Sequence, residues 1–190
     1  MKTRLARTHS TSLGNTTIAC FWLLLIASGL APMALAQAQP LQRYRADTDI
    51  LYRSESNLTE YAKERCRLDV YYPTEAKVFP TVVWLHGGGL TDGSRCVPPG
   101  LKEKGIAVVA AGRRFSPRVK SPAYVEDAAA AVAWTFRNIE KYGGSTNRIF
   151  VSGHSAGGYL TCMIGLDRRW LAVHSLEADR IAGLIPFSGQ

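Results

Sequence analysis

At 190 residues the chain has room for one domain of ordinary size, not two. A hydrophobic content of 46% with 20% charged residues excludes an intrinsically disordered chain. The formal net charge of +8 rests on scattered cations, adjacent only at Arg113-Arg114 and Arg168-Arg169 and without interleaved aromatics; this reads as a solvated basic surface and excludes a nucleic-acid binder.

Residues 1–36 read as a cleaved signal peptide. Lys2, Arg4 and Arg7 form a basic start, an apolar run extends from Ile18 to Ala31, and Ala34-Leu35-Ala36 is a small-x-small site ahead of Gln37. The run is 14 residues, shorter than the roughly 20 of a spanning helix, so a stable membrane span is not expected and the protein is expected to be secreted or periplasmic. Removing the three leader cations from +8 leaves +5 on residues 37–190. Cys66, Cys96 and Cys162 remain after cleavage. An oxidising compartment permits a disulfide, for which Cys66 and Cys96 are the candidate pair, and the odd count leaves at least one free thiol. No cysteine has metal-ligand spacing, and neither metal nor cofactor is expected.

Residues 37–64 form a polar lead-in of no clear element, containing a glycosylation triplet at Asn57-Leu58-Thr59. Arg67 to Tyr72 alternates polar and apolar, an edge-like strand ending at Pro73. Thr81-Val82-Val83-Trp84-Leu85 and Ile106-Ala107-Val108-Val109-Ala110 are continuous apolar runs, each read as a strand buried on both faces. Between them, 98–104 is predicted to be a short helix closed by Gly105. Ser121-Pro122 is predicted to start a helix, with the serine hydroxyl as its cap. Its apolar stripe is Val125, Ala128, Ala129, Val132, Ala133, Phe136 and Ile139, and Gly143-Gly144 ends it. Ile149-Phe150-Val151 is a further buried strand, 157–166 a helix apolar on all sides, and Ile181 to Phe187 a last strand with an open apolar edge. Alternating strands and helices predict an α/β fold with a mostly parallel sheet and flanking helices.

Chemistry concentrates in two places. Gly153-His154-Ser155-Ala156-Gly157 stands between a predicted strand and a predicted helix, the context of a nucleophile elbow. There a tight turn presents Ser155 and demands glycine at Gly153 and Gly157. His86-Gly87-Gly88-Gly89 follows the strand at 81–85, where backbone free of side chains can approach a substrate carbonyl. The amides of Gly88, Gly89 and Ala156 are the expected oxyanion donors. A serine hydroxyl also needs a base. His9 lies in the leader, His86 in the glycine loop, and His154 on a turn that points it elsewhere. A helix of ten residues, at 1.5 Å each, carries His174 about 15 Å from Ser155, so it reads as a surface histidine. Asp127 reads as a first-turn residue favoured by its helix dipole.

Trp84-Leu85-His86-Gly87-Gly88-Gly89, Arg114-Phe115-Ser116-Pro117, Val125-Glu126-Asp127 and Gly153-His154-Ser155-Ala156-Gly157-Gly158 together resemble α/β-hydrolases of the hormone-sensitive-lipase and feruloyl-esterase-like group. The resemblance spans roughly residues 65–190. It implies a serine carboxylesterase acting on small ester substrates, with its Asp or Glu and its His late in the chain. It also implies that His86, with Gly87, holds the oxyanion loop in shape. Arg114-Phe115 stands where that group shows Tyr-Arg. Only 35 residues follow Ser155, so 65–190 is expected to be a partial domain without its last strands and without a triad acid and histidine, and hence of little activity. An amidase or formamidase on the same fold, or a non-catalytic acyl binder or relic, are the alternatives.

Overall fold

The computed structural model describes residues 43–189. The predicted signal peptide lies outside the described residues. So does the start of the lead-in, and residues 43–64 of it are described. Tyr44–Leu51 forms strand β1 and Glu60–Arg65 helix α1, capped by the Thr59 hydroxyl, which accepts from the Ala62 amide at 3.2 Å. Strand β1 (YRADTDIL) is largely exposed, and its side chains carry no alternating apolar signal. It exists because its backbone pairs antiparallel with β2, Arg67–Pro73. Strand β2 is therefore interior and not the edge strand its alternation suggests, and Leu68 and Val70 are fully buried.

Strands β3 (Phe79–Leu85), β4 (Ala107–Ala111), β5 (Gly144–His154) and β6 (Gly183–Phe187) complete one six-stranded sheet of order β1-β2-β4-β3-β5-β6. Pairs β4/β3, β3/β5 and β5/β6 are parallel, and β1/β2 and β2/β4 antiparallel. Helices α2 (Ala123–Asn138) and α3 (Ala156–Leu166) cover one face. There Val83, Leu85, Val109 and Val151 pack against Val125, Ala129, Val132, Leu160 and Ile164 in one core. The six stripe residues within α2 and Ile139, which caps it, are all buried, as their spacing requires. Helix α3 is sided rather than buried all round: Leu160 and Ile164 face inward while Leu166 stands exposed. A short helix α4, Arg169–Ala172, packs against α2.

Three local expectations change. Ser121 does not cap α2: Pro122 occupies the cap position, one residue closer to the helix, and no side chain bonds there. Only a single turn, Pro99–Leu101, forms where a short helix was predicted. Cys66, Cys96 and Cys162 are all free thiols, Cys66 buried and Cys96 exposed.

Candidate active site

Parallel register brings the two glycine motifs together. Leu85, the last residue of β3, pairs with Gly153 at the end of β5, so the loop after one strand and the elbow after the other leave the carboxyl edge of the sheet side by side. The fit is tight enough to exclude side chains. A Cβ on Gly153 would sit 2.5 Å from the Leu85 carbonyl oxygen, and one on Gly157 only 1.8 Å from it. One on Gly87 would lie 3.1 Å from the His154 carbonyl oxygen.

Ser155 itself has φ 53° and ψ −119°, a conformation a side chain adopts only when its surroundings impose it. The constraint is visible on both sides. The Ser155 amide donates to the Phe187 carbonyl of β6 at 2.9 Å, and the Ser155 carbonyl accepts from the Tyr159 amide at 3.0 Å. Its side chain opens into a pocket of about 260 Å³ shared with Gly89, Leu90, Ala156 and Tyr159. Leu90 and Tyr159 escaped the sequence reading because nothing local marks a pocket wall.

In the loop, Gly88 and Gly89 have φ of +98° and +59°, followed by Leu90 at +63°. The Gly88 carbonyl is turned away to accept from the amides of Thr91 and Asp92, at 3.0 and 2.9 Å. Among the described residues, the amides of Gly88, Gly89 and Ala156 donate to no protein acceptor. They are free donors beside a strained hydroxyl.

His86 lies beneath this loop. Its Nδ1 is 2.8 Å from the Gly87 carbonyl, so the proton on that nitrogen is donated to it, and the ring stands edge-on to Phe115. Burial, helped by the nearby Arg113 charge, pulls its pKa down to about 4 and keeps it neutral. Nε2 is buried without a partner.

The cation beside it is a residue that sequence reasoning misplaced. Arg113 does not belong to a solvated basic surface: it is 2% exposed. Its Nη1 donates to the His86 carbonyl at 2.8 Å and its Nη2 to the Gly87 carbonyl at 2.9 Å. Burial lowers its pKa to about 10, which leaves it charged at neutral pH. Arg65 braces the same region, donating to the Arg113 and Gly93 carbonyls and lying 4.2 Å over the Phe115 ring.

Arg114 turns the other way and grips Asp127 through Nε and Nη2 at 2.8 and 2.7 Å, while Arg53 Nη1 reaches the same carboxylate at 2.7 Å. Asp127 is wholly buried and past the first turn of α2, so it is the anchor of two cations rather than a dipole-stabilised surface acid.

Among the described residues no histidine side chain bonds to Ser155, and no carboxylate does. His154 is exposed, its ring near Gly87. His174 lines a different cleft with Arg53, Glu55, Glu126 and Trp170, where burial lowers its pKa. Among the described residues no group of His, Cys, Asp or Glu could hold a metal ion, and no helix is long and apolar enough to cross a membrane.

Comparison with known proteins places this geometry in context. The BD-FAE family matches residues 68–180. LipM of Mycobacterium tuberculosis, named a probable carboxylic ester hydrolase, is 28% identical over 161 residues, 79% of this chain and 37% of LipM. Esterase LipC of the same organism is 33% identical over 95 residues, 47% of this chain and 24% of LipC. Esterase B of Lactobacillus rhamnosis superposes with a TM-score of 0.57 at 22% identity, covering 78% of this chain and 46% of its own, which shows the α/β-hydrolase fold. The chain thus spans less than half the length of each.

Proposed function

The chain belongs to the BD-FAE family, and from that premise we propose that it serves carboxylic ester hydrolysis through an acyl intermediate on Ser155. The observation that carries the reading is the juxtaposition at the carboxyl edge: a hydroxyl on a strained turn, sharing its pocket with a glycine loop whose amides are free. The Ser155 oxygen bonds to the acyl carbon and its proton passes to a base. The amides of Gly88, Gly89 and Ala156 donate to the carbonyl oxygen as it becomes an anion. The bond from carbon to the alcohol oxygen then breaks, and the alcohol leaves with the proton. Water repeats the sequence on the acyl-serine, which releases the acid and restores the hydroxyl. A pocket of about 260 Å³ walled by Leu90 and Tyr159 suits a short acyl group. Relatives named as ester hydrolases support ester, while one named a probable N-octanoylanthranilate hydrolase keeps an amide substrate as the second reading. The basic start and apolar run of residues 1–36 support export as part of the same reading.

The described residues present the nucleophile without activating it. By themselves the described residues would keep at most the residual advantage over water, on the order of 10³–10⁴, that binding and an oxyanion hole supply without a base. The test is phosphonylation of the folded chain by a fluorophosphonate, followed by intact mass and peptide mapping. One phosphonyl group is expected on Ser155, added slowly in buffer and faster in proportion to added imidazole; Ser155→Ala takes none. Rapid labelling without imidazole would reveal a base in the chain and sink the claim of an unactivated serine. No labelling of Ser155 under either condition would sink the nucleophile.

A further inference from the structure

Arg113 is among the bulkiest buried side chains of the described residues, and it takes part in no direct ion pair, the Asp127 carboxylate acting on it only from a distance. Taking a guanidinium out of water costs several kcal/mol unless partners compensate. Its partners here are two neutral carbonyls, those of His86 and Gly87, and its Nε has none. Merely filling this volume would call for methionine or leucine. What the charge adds lies in what it holds. A trans peptide is planar, so the oxygen and the amide hydrogen of one unit point in opposite directions. The Gly87 oxygen accepts from both Arg113 Nη2 and His86 Nδ1, which pins that unit from one side. Its other end is the Gly88 N–H. Drawing electron density toward the oxygen also makes that N–H a stronger donor. The same guanidinium pins the His86 oxygen, so two consecutive peptide units are oriented together.

We propose that Arg113 is a positioning residue of the oxyanion hole, orienting and polarising the Gly87–Gly88 peptide so that the Gly88 amide faces the developing anion. This rests on the ester-hydrolase reading above. The test compares the full chain with Arg113→Met and Arg113→Lys by fluorophosphonate labelling in a fixed concentration of imidazole, and by the amide spectrum of glycine-labelled protein without inhibitor. In Arg113→Met, kinact is expected to fall about tenfold to a hundredfold, somewhat less than the loss of a whole oxyanion donor, with Ki unchanged. Arg113→Lys, a compact charge without the planar fork that spans both carbonyls, falls in between. The Gly88 amide resonance is expected to move upfield in Arg113→Met while that of Gly100, remote from other atoms, stays. An unchanged kinact, or an unmoved Gly88 resonance, would overturn the assignment. Failure of Ser155 to label in the parent chain would instead overturn the ester-hydrolase reading, and the resonance would still decide the positioning. Should Arg113→Met not fold, Arg113→Lys decides by the same two readouts.

Discussion

Replacing Gly157 by alanine adds one carbon, and the structure says where it goes: 1.8 Å from the Leu85 carbonyl oxygen, 2.6 Å from the Leu85 carbonyl carbon and 2.9 Å from the His86 oxygen. Two effects oppose each other. Gly157 lies in the first turn of α3 with no left-handed φ, so alanine gains up to about 1 kcal/mol of helix propensity. Against this, a Cβ has to stand at least 3.0 Å from such an atom, so helix and strand must part by about 1.2 Å. The obstacle is backbone on a central strand, flanked by β4 and β5, and cannot swing aside as a side chain does. Overpacking ordinarily costs 1–3 kcal/mol, and a contact this short belongs at the upper end. The net expectation is a loss of about 2–3 kcal/mol. Urea unfolding followed by the fluorescence of Trp84, Trp134 and Trp170 should show it as a midpoint about 1–2 M lower at unchanged slope. Gly100→Ala is the control, since a Cβ there meets nothing within 4 Å. Equal midpoints for the two variants would refute the claim that close approach, rather than chance, put glycine at position 157.

Asp127→Asn keeps the shape of a fully buried side chain but leaves Arg53 and Arg114, both mostly buried, without their shared anion. A loss of about 3–5 kcal/mol is expected in the same unfolding assay, and one below about 1 kcal/mol would remove Asp127 from the role of anchor. His86 supplies a pH dependence of definite sign: its pKa falls from 6.5 unfolded to about 4 folded, so the unfolded chain takes the proton first. Its contribution is complete above pH 6.5 and is lost as pH drops to about 4, on the order of 3 kcal/mol in all. The half-buried His174 adds in the same direction. Unfolding free energies measured across that window should slope less steeply in His86→Asn than in the parent chain; equal slopes would contradict the buried neutral imidazole.

What could be read in the sequence followed from constraints that act locally. The runs at 81–85 and 106–110 are apolar because β3 and β4 are covered on both faces, and the seven stripe positions of α2 and its C-cap repeat because one face of a helix meets the sheet. The elbow glycines were legible for a steric reason that the Leu85 oxygen makes explicit. What could not be read depends on partners distant in sequence. Strand β1 holds its place through the backbone ladder to β2, which leaves no mark on side-chain pattern. Adjacent arginines look alike in a sequence, yet Arg113 turns beneath the glycine loop and Arg114 toward α2. Nothing in the pair Arg113-Arg114 distinguishes the two fates; only the position of His86 and Asp127 does.

Presenting a nucleophile and activating it are separate physical tasks, and on the proposed reading of Ser155 they fall to separate parts. Presentation is steric and electrostatic: the β3/β5 register sets the loop against the elbow, missing side chains let them touch, and the Phe187 carbonyl helps hold Ser155 at positive φ. All of that is in place in residues 43–189. Activation needs a proton acceptor at hydrogen-bond distance from one oxygen. Three imidazoles lie in the described residues, and none bonds to Ser155: His86 lies under the loop with its proton on the Gly87 carbonyl, His154 is exposed at the end of β5, and His174 lines the cleft with Glu55. A free base such as imidazole can stand in for an acceptor that the described residues do not place at Ser155, because it needs only to diffuse in, whereas no solute can replace a strained turn. Rescue by imidazole together with loss on Arg113→Met would therefore separate the two tasks in a single protein.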